Sequence, residues 1–223
     1  MDLKSKIILI SGPTASGKSS FAIKVAKKVD GEIINADSMQ VYKELKILSA
    51  RPDPKEYQKI KHHLYGFYNV TKNFSTGDWL KLVLKKIEEV KKFTKKSLTE
   101  WFKNTKSNYL EDHFFKVYID FPRQELIERI NVRTREMIEN GAIKEVKDFI
   151  KLRVRKDKSA NKAIGVNEIT EYLKKQKNLN DTRDKIAIKT RQYAKRQSTW
   201  ARGNMRSWTK LKPQDINNFL KKI

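Results

Sequence analysis

The chain has 223 residues, room for one α/β domain and little for two. Lysine and arginine number 50 against 26 acidic residues, a net charge of +24, yet 38% of residues are hydrophobic, which excludes a charged disordered segment. There is no cysteine, so disulfides, thiol nucleophiles and cysteine-ligated zinc are excluded. No apolar run approaches the about 18 residues of a membrane span, and the N-terminus lacks signal-peptide character. A cytoplasmic, monomeric protein is the expectation.

In chain order, Lys6–Ile10 (KIILI) reads as a buried strand. A helix follows over about Lys18–Val29, then a short strand at Glu32–Asn35. Residues 39–74 read as irregular, with Pro52 and Pro54 breaking any helix. Helical spacing of Trp79, Leu82, Val83, Ile87 and Val90 predicts a helix over Ser75–Lys92. Leu98–Phe102 is a short helical candidate, and Phe114–Phe121 (FFKVYIDF) a strand. Helices are predicted at Arg123–Asn140, stopped by Gly141, and at Ile143–Leu152, Val166–Lys175 and Asp181–Arg202. No repeat or linker divides the chain. One domain is expected over residues 1–223, with a core at 1–122 and a basic helical part at 123–223.

Gly12-Pro13-Thr14-Ala15-Ser16-Gly17-Lys18-Ser19 matches G-x-x-x-x-G-K-[ST] between a strand and a helix. The glycines let successive amides turn inward, and the helix N-terminus adds partial positive charge. Lys18 supplies a full charge, and the Ser19 hydroxyl can ligate Mg²⁺. The motif predicts a di- or triphosphate ligand and a P-loop NTPase-like α/β fold: a parallel sheet flanked by helices, with a helix-rich C-terminal half. Asp37 follows the second strand, where the ends of parallel strands line a ligand crevice. It could support Mg²⁺, act as a general base, or cap a turn. Asp120, ending FFKVYIDF, could imitate a second metal-binding aspartate or cap the next helix.

The charge favours a polyanionic partner, nucleic acid first, although lysine-rich composition can arise by drift. Arginine occurs once before residue 120, at Arg51, and eleven times after it, which favours the C-terminal half as an RNA surface. On Asp181–Arg202, Ile186, Tyr193 and Trp200 recur every seven residues, as do Ala187, Ala194 and Ala201. That pattern predicts a packed stripe with Tyr193 and Trp200 in the core. Lys189, Gln192, Arg196 and Thr199 form another face, read as a contact to RNA phosphates. His62 and His63 read as ordinary loop residues.

SGPTASGKSSFAI followed by INADSMQVYKELKI resembles the start of the tRNA dimethylallyltransferase family. ELIERINVRTREMIENGAIKEV, KAIGVNEITEYL and TRQYAKRQSTWAR are similar to its later segments, in family order. The resemblance implies transfer of a dimethylallyl group from dimethylallyl diphosphate to N6 of the adenosine 3′ to the anticodon. It implies that Gly12–Ser19 hold the donor diphosphate rather than ATP, with Mg²⁺ at Ser19. Asp37 would be the base, and Asp37, Ser38, Met39 and Gln40 would touch tRNA. Arg133, one turn after Arg129, matches the arginine that reaches the diphosphate. Lys189 and Arg196 belong to the expected tRNA surface.

The family's G-G-T strand and its helical insertion with Q-R-x-x-R do not occur; IEEVKKFTKK runs directly into SLTEWFKN. The insertion expected near residues 93–97 is absent. Two other functions compete with the transferase. A small-molecule kinase would need a lid arginine pair, and none is evident. A relic binder would hold tRNA or diphosphate without turnover.

Overall fold

The computed structural model describes residues 3, 6–90 and 111–223. The Leu98–Phe102 helical candidate lies outside them. Strand β1 (Ile7–Ser11) leads through the phosphate loop into α1 (Lys18–Val29). Gly17 starts that helix at φ +85°, and Asp30 ends it in a left-handed conformation. Phe21, Ile23, Val25 and Ala26 are its buried residues. Burying each larger side chain contributes roughly 1.5–3 kcal/mol.

β2 (Ile33–Ile34) pairs in parallel with β3 (His62–His63). The histidines are therefore not plain loop residues: His63 Nε2 lies 2.5 Å from Glu32 Oε2, and the His62 ring stacks 3.8 Å from Tyr57. Residues 39–74 are otherwise mostly irregular, apart from a 3-10 helix at Pro54–Tyr57 that the prolines were expected to prevent, and Val41, Leu45 and Val70 within them are fully inaccessible. Helix α2 (Thr76–Val90) follows Ser75, whose hydroxyl and amide exchange hydrogen bonds with Asp78.

β4 (Phe114–Ile119) pairs in parallel with β1, Ile10 opposite Val117. α3 (Arg123–Glu139), α4 (Ala142–Lys151), α5 (Val166–Leu173) and α6 (Leu179–Asn204) follow. Sequence reasoning missed β5 (Thr209–Leu211), which pairs with β4, and α7 (Ile216–Lys222). β5 is three residues long, too short for a periodicity signal. The fold is thus α/β, a parallel sheet ordered β1-β4-β5 flanked by helices, with β2-β3 as a separate two-stranded sheet.

One apolar cluster joins Phe21, Val25, Val117, Ile119 and Leu211 across the sheet. A second joins residues 41–48 to α4, α5 and Ile186. A third joins Leu126, Ile130, Ala187 and Ala194, with Ala15 and Phe121 packed against it. It seats α3 and α6 beside the phosphate loop. No helix among the described residues is long and apolar enough to cross a membrane.

Candidate active site

The phosphate loop crosses the end of β4 at close range. A Cβ on Gly12 would lie 3.0 Å from the Ile119 carbonyl oxygen, so backbone occupies the space a side chain would need. Ala15 and Gly17 take positive φ, +64° and +85°, which turns the loop into the helix. Gly17, Lys18 and Ser19 open α1, so their amides have no carbonyl one turn back and are available to an anion. Ser16 is buried; among the described residues its hydroxyl has no hydrogen-bond partner. Lys18 Nζ donates to the Pro13 carbonyl at 2.7 Å, folded over its own loop. Burial pushes the Lys18 ammonium down to about 8, partly opposed by the charge of Asp37.

Two helices close over this loop. Arg133 of α3 donates to the Thr14 hydroxyl at 3.2 Å. Its pKa is lowered by burial, and Asp37's charge acts against that shift. Arg129, one turn earlier, places its guanidinium 3.5 Å from where a Gly17 Cβ would stand, and lies 4.8 Å from the Phe121 ring centroid. Sequence reasoning noted Arg129 only as a landmark; its spacing of four from Arg133, which puts both on one helix face, was the available signal. From α6, Gln197 Oε1 accepts from the Thr14 amide at 2.8 Å. No local pattern marked Gln197, because its partner is 183 residues away.

Asp37 is exposed at the end of β2, and its Oδ1 accepts from the amides of Met39 at 2.8 Å and Gln40 at 3.3 Å. The turn-capping reading is therefore realised in part. Its Oδ2 accepts from none of the described residues, and the carboxylate is close enough for its charge to act on Lys18 and Arg133. Ser38 is exposed, whereas the Gln40 side chain donates to the carbonyls of Ser49 and Ala50. Tyr65, pushed up to about 12 chiefly by burial, also lies within range of Asp37. Asp120 does not cap α3, whose N-cap is Pro122; its amide donates to Leu211 and its side chain is exposed.

On α6 the alanine stripe is the packed one: Ala187, Ala194 and Ala201 are buried. Tyr193 and Trp200 are 42% and 58% exposed, which corrects their expected place in the core. Small residues let α6 approach α3 and the loop closely, so the neighbouring aromatics fall to the flank. Trp200, Arg196 and Gln197 face Ser11, Gly12 and Tyr118 across a cavity of about 330 Å³. Arg196 is exposed, 5.9 Å from the Tyr193 ring. Lys189 instead forms an ion pair with the buried carboxylate of Glu168 on α5. Among the described residues no three His, Cys, Asp or Glu side chains converge as a metal site. Ser19 is exposed on the first turn of α1, beside Lys18. A Mg²⁺ ion bound mainly through phosphate oxygens and water needs little more than that hydroxyl.

The strand, the glycine-containing loop and the helix, with arginines of α3 beside the loop, belong to an α/β protein with a parallel sheet flanked by helices. Within that class, the IPP transferase family model matches residues 40–96 and 89–204. The tRNA dimethylallyltransferase of Pelagibacter ubique is 42% identical, the alignment covering 100% of this chain and 96% of that protein. That of Rhizobium etli (strain CIAT 652) is 31% identical, covering 92% and 97%. Two solved structures share the fold. The full-length tRNA isopentenylpyrophosphate transferase of Bacillus halodurans has a TM-score of 0.82 at 24% identity, covering 97% of this chain and 95% of that one. A eukaryotic dimethylallyltransferase acting on tRNA has a TM-score of 0.77 at 20% identity, covering 93% and 74%. The chain belongs to the IPP transferase family. The Pelagibacter alignment spans 302 positions against 223 residues here, so at least 79 positions (302 less 223) are gaps in this chain. The two family-model matches overlap at residues 89–96, next to the position near 93–97 where the family's insertion was expected.

Proposed function

We propose that this chain transfers a dimethylallyl group from dimethylallyl diphosphate to N6 of the adenosine 3′ to the anticodon in tRNA. The observation that carries this reading is the placement of two cations on the loop, Lys18 at the Pro13 carbonyl and Arg133 at the Thr14 hydroxyl, with the Asp37 carboxylate near enough for its charge to act on both. The amides of Gly17, Lys18 and Ser19 bind the donor diphosphate, and Lys18 leaves the Pro13 carbonyl to meet it. As the donor C–O bond breaks, negative charge grows on the departing diphosphate. Lys18 and Arg133 stabilise that charge more than they stabilise the bound donor. The N6 lone pair forms the new C–N bond. Asp37 takes the N6 proton through the oxygen its own turn does not use. The Ser19 hydroxyl would hold a Mg²⁺ ion, which would add to the neutralisation of the leaving group. The exposed Arg196 and Trp200 give α6 a surface suited to RNA.

The test is transfer of a labelled dimethylallyl group to an unmodified tRNA transcript, wild type beside Asp37→Asn. Asparagine keeps an oxygen to cap Met39 and Gln40 but is a poor proton acceptor. Turnover should fall by about 10²–10⁴-fold while donor binding changes little. Equal turnover in both proteins removes Asp37 as the base. Donor binding without turnover in either favours the binder reading.

A further inference from the structure

The peptide between Pro13 and Thr14 is gripped at both of its polar atoms. Its carbonyl accepts from Lys18 Nζ at 2.7 Å, and its amide donates to Gln197 Oε1 at 2.8 Å. The first grip cannot last. When Lys18 turns toward a bound diphosphate, the Pro13 carbonyl keeps only the Ser16 amide, at 3.3 Å. Gln197 is then the side chain that still orients this peptide. The orientation matters because Thr14 also carries the hydroxyl to which Arg133 donates at 3.2 Å.

We propose, resting on the function above, that Gln197 is a positioning residue for the donor: it holds the Thr14 amide so that the loop and Arg133 keep their arrangement when Lys18 engages the diphosphate. α6 is built to deliver it. Ala194, less than one turn before Gln197, is buried in the cluster against which Ala15 of the loop packs. Ala201, about one turn after it, is also buried. The two alanines bring the helix close enough for a side-chain amide to span the remaining gap. Gln197 lines the same cavity as Arg196 and Trp200, and Arg196 lies 5.9 Å from the Tyr193 ring on the exposed flank. Gln197 thus joins the surface suited to RNA to the donor loop. An anion site of backbone amides gains its strength from being oriented beforehand.

The test compares Gln197→Met, which keeps the length but has no acceptor oxygen, with Gln197→Glu, which keeps the acceptor and adds a negative charge. Donor and tRNA KM, affinity for inorganic diphosphate, and hydrogen exchange at the Thr14 amide are measured on the full chain. Losing one hydrogen bond predicts that Gln197→Met raises donor KM by about 3–10-fold, leaves tRNA KM within about twofold, and speeds Thr14 exchange by a similar factor. Gln197→Glu should keep Thr14 protected while still weakening diphosphate binding by charge repulsion. Unchanged donor KM in Gln197→Met with wild-type diphosphate binding intact overturns the role of Gln197 alone. Tighter donor binding overturns it too, by making Gln197 a competitor for the amide. If wild type binds neither donor nor diphosphate, the proposed function fails and the role of Gln197 fails with it.

Discussion

Lys18 carries a consequence that a phosphate-loop motif cannot state. Burial lowers its pKa to about 8, so the free loop loses its charge in mildly alkaline solution. A bound diphosphate favours the charged form, so binding above that pKa must take up a proton. Donor affinity should be nearly constant below about pH 7.5 and fall by up to tenfold per unit above about pH 8. Calorimetry in two buffers of different ionisation enthalpy should find proton uptake rising toward one at about pH 9. Affinity that stays flat to that pH would show that Lys18 is not the group that meets the diphosphate. Legibility at this scale follows sequence distance. Gly12, Lys18 and Ser19 were readable because their partners lie within a few residues. Arg133 came from a resemblance, and Gln197 from neither, because nothing near residue 197 reports the loop at residue 14.

At the scale of elements, the irregular stretch after Asp37 is held by a helix far along the chain. Glu145 of α4 accepts from the amides of Lys46, Ile47 and Leu48, at 2.9, 2.7 and 2.9 Å. Leu45 and Leu48 are buried there, and Leu48 packs so closely on Gly165 that a Cβ would lie 2.5 Å from its Cδ2. Proline and polar signals predicted an irregular path, which holds except at β3 and at a short 3-10 helix that starts on Pro54, where a proline suits the first helical position; they did not show that Val41, Leu45 and Leu48 enter the core. Glu145→Ala leaves three amides without their acceptor, and urea unfolding should show a loss of about 3 kcal/mol. Glu145→Gln, with one acceptor oxygen, should lose less. An unchanged midpoint in Glu145→Ala would mean that water replaces the carboxylate at little cost. On α6, the seven-residue spacing offered two adjacent stripes, and only packing against α3 selected the alanines over Tyr193 and Trp200.

Across the whole molecule, the charge of +24 predicts tRNA binding that weakens steeply with salt. Exposed Arg196 is a suitable probe, whereas Lys189 is tied to Glu168 and tests folding instead. Arg196→Ala should lower tRNA affinity and reduce the slope of log affinity against log salt by about one, read by filter binding across a salt series. A slope equal to wild type would mean that Arg196 meets no phosphate.

The sequence by itself determined the strand–loop–helix at the N-terminus, most helices, the α/β class and the family. These rest on contacts within one or two turns of chain and on periodicity, which any short window contains. Tertiary structure decided which helix face packs, that β1 pairs with β4 and β4 with β5, and that β2 and β3 form their own sheet. Among the described residues no strand lies on the other edge of β1. It also decided that Gln197, Arg129 and Arg133 converge on one loop. Those outcomes depend on contacts between residues from 29 positions apart, as in Ile33 and His62, to 183 apart, as in Thr14 and Gln197. Such contacts form only once the chain has closed on its core, and a local pattern carries no record of them.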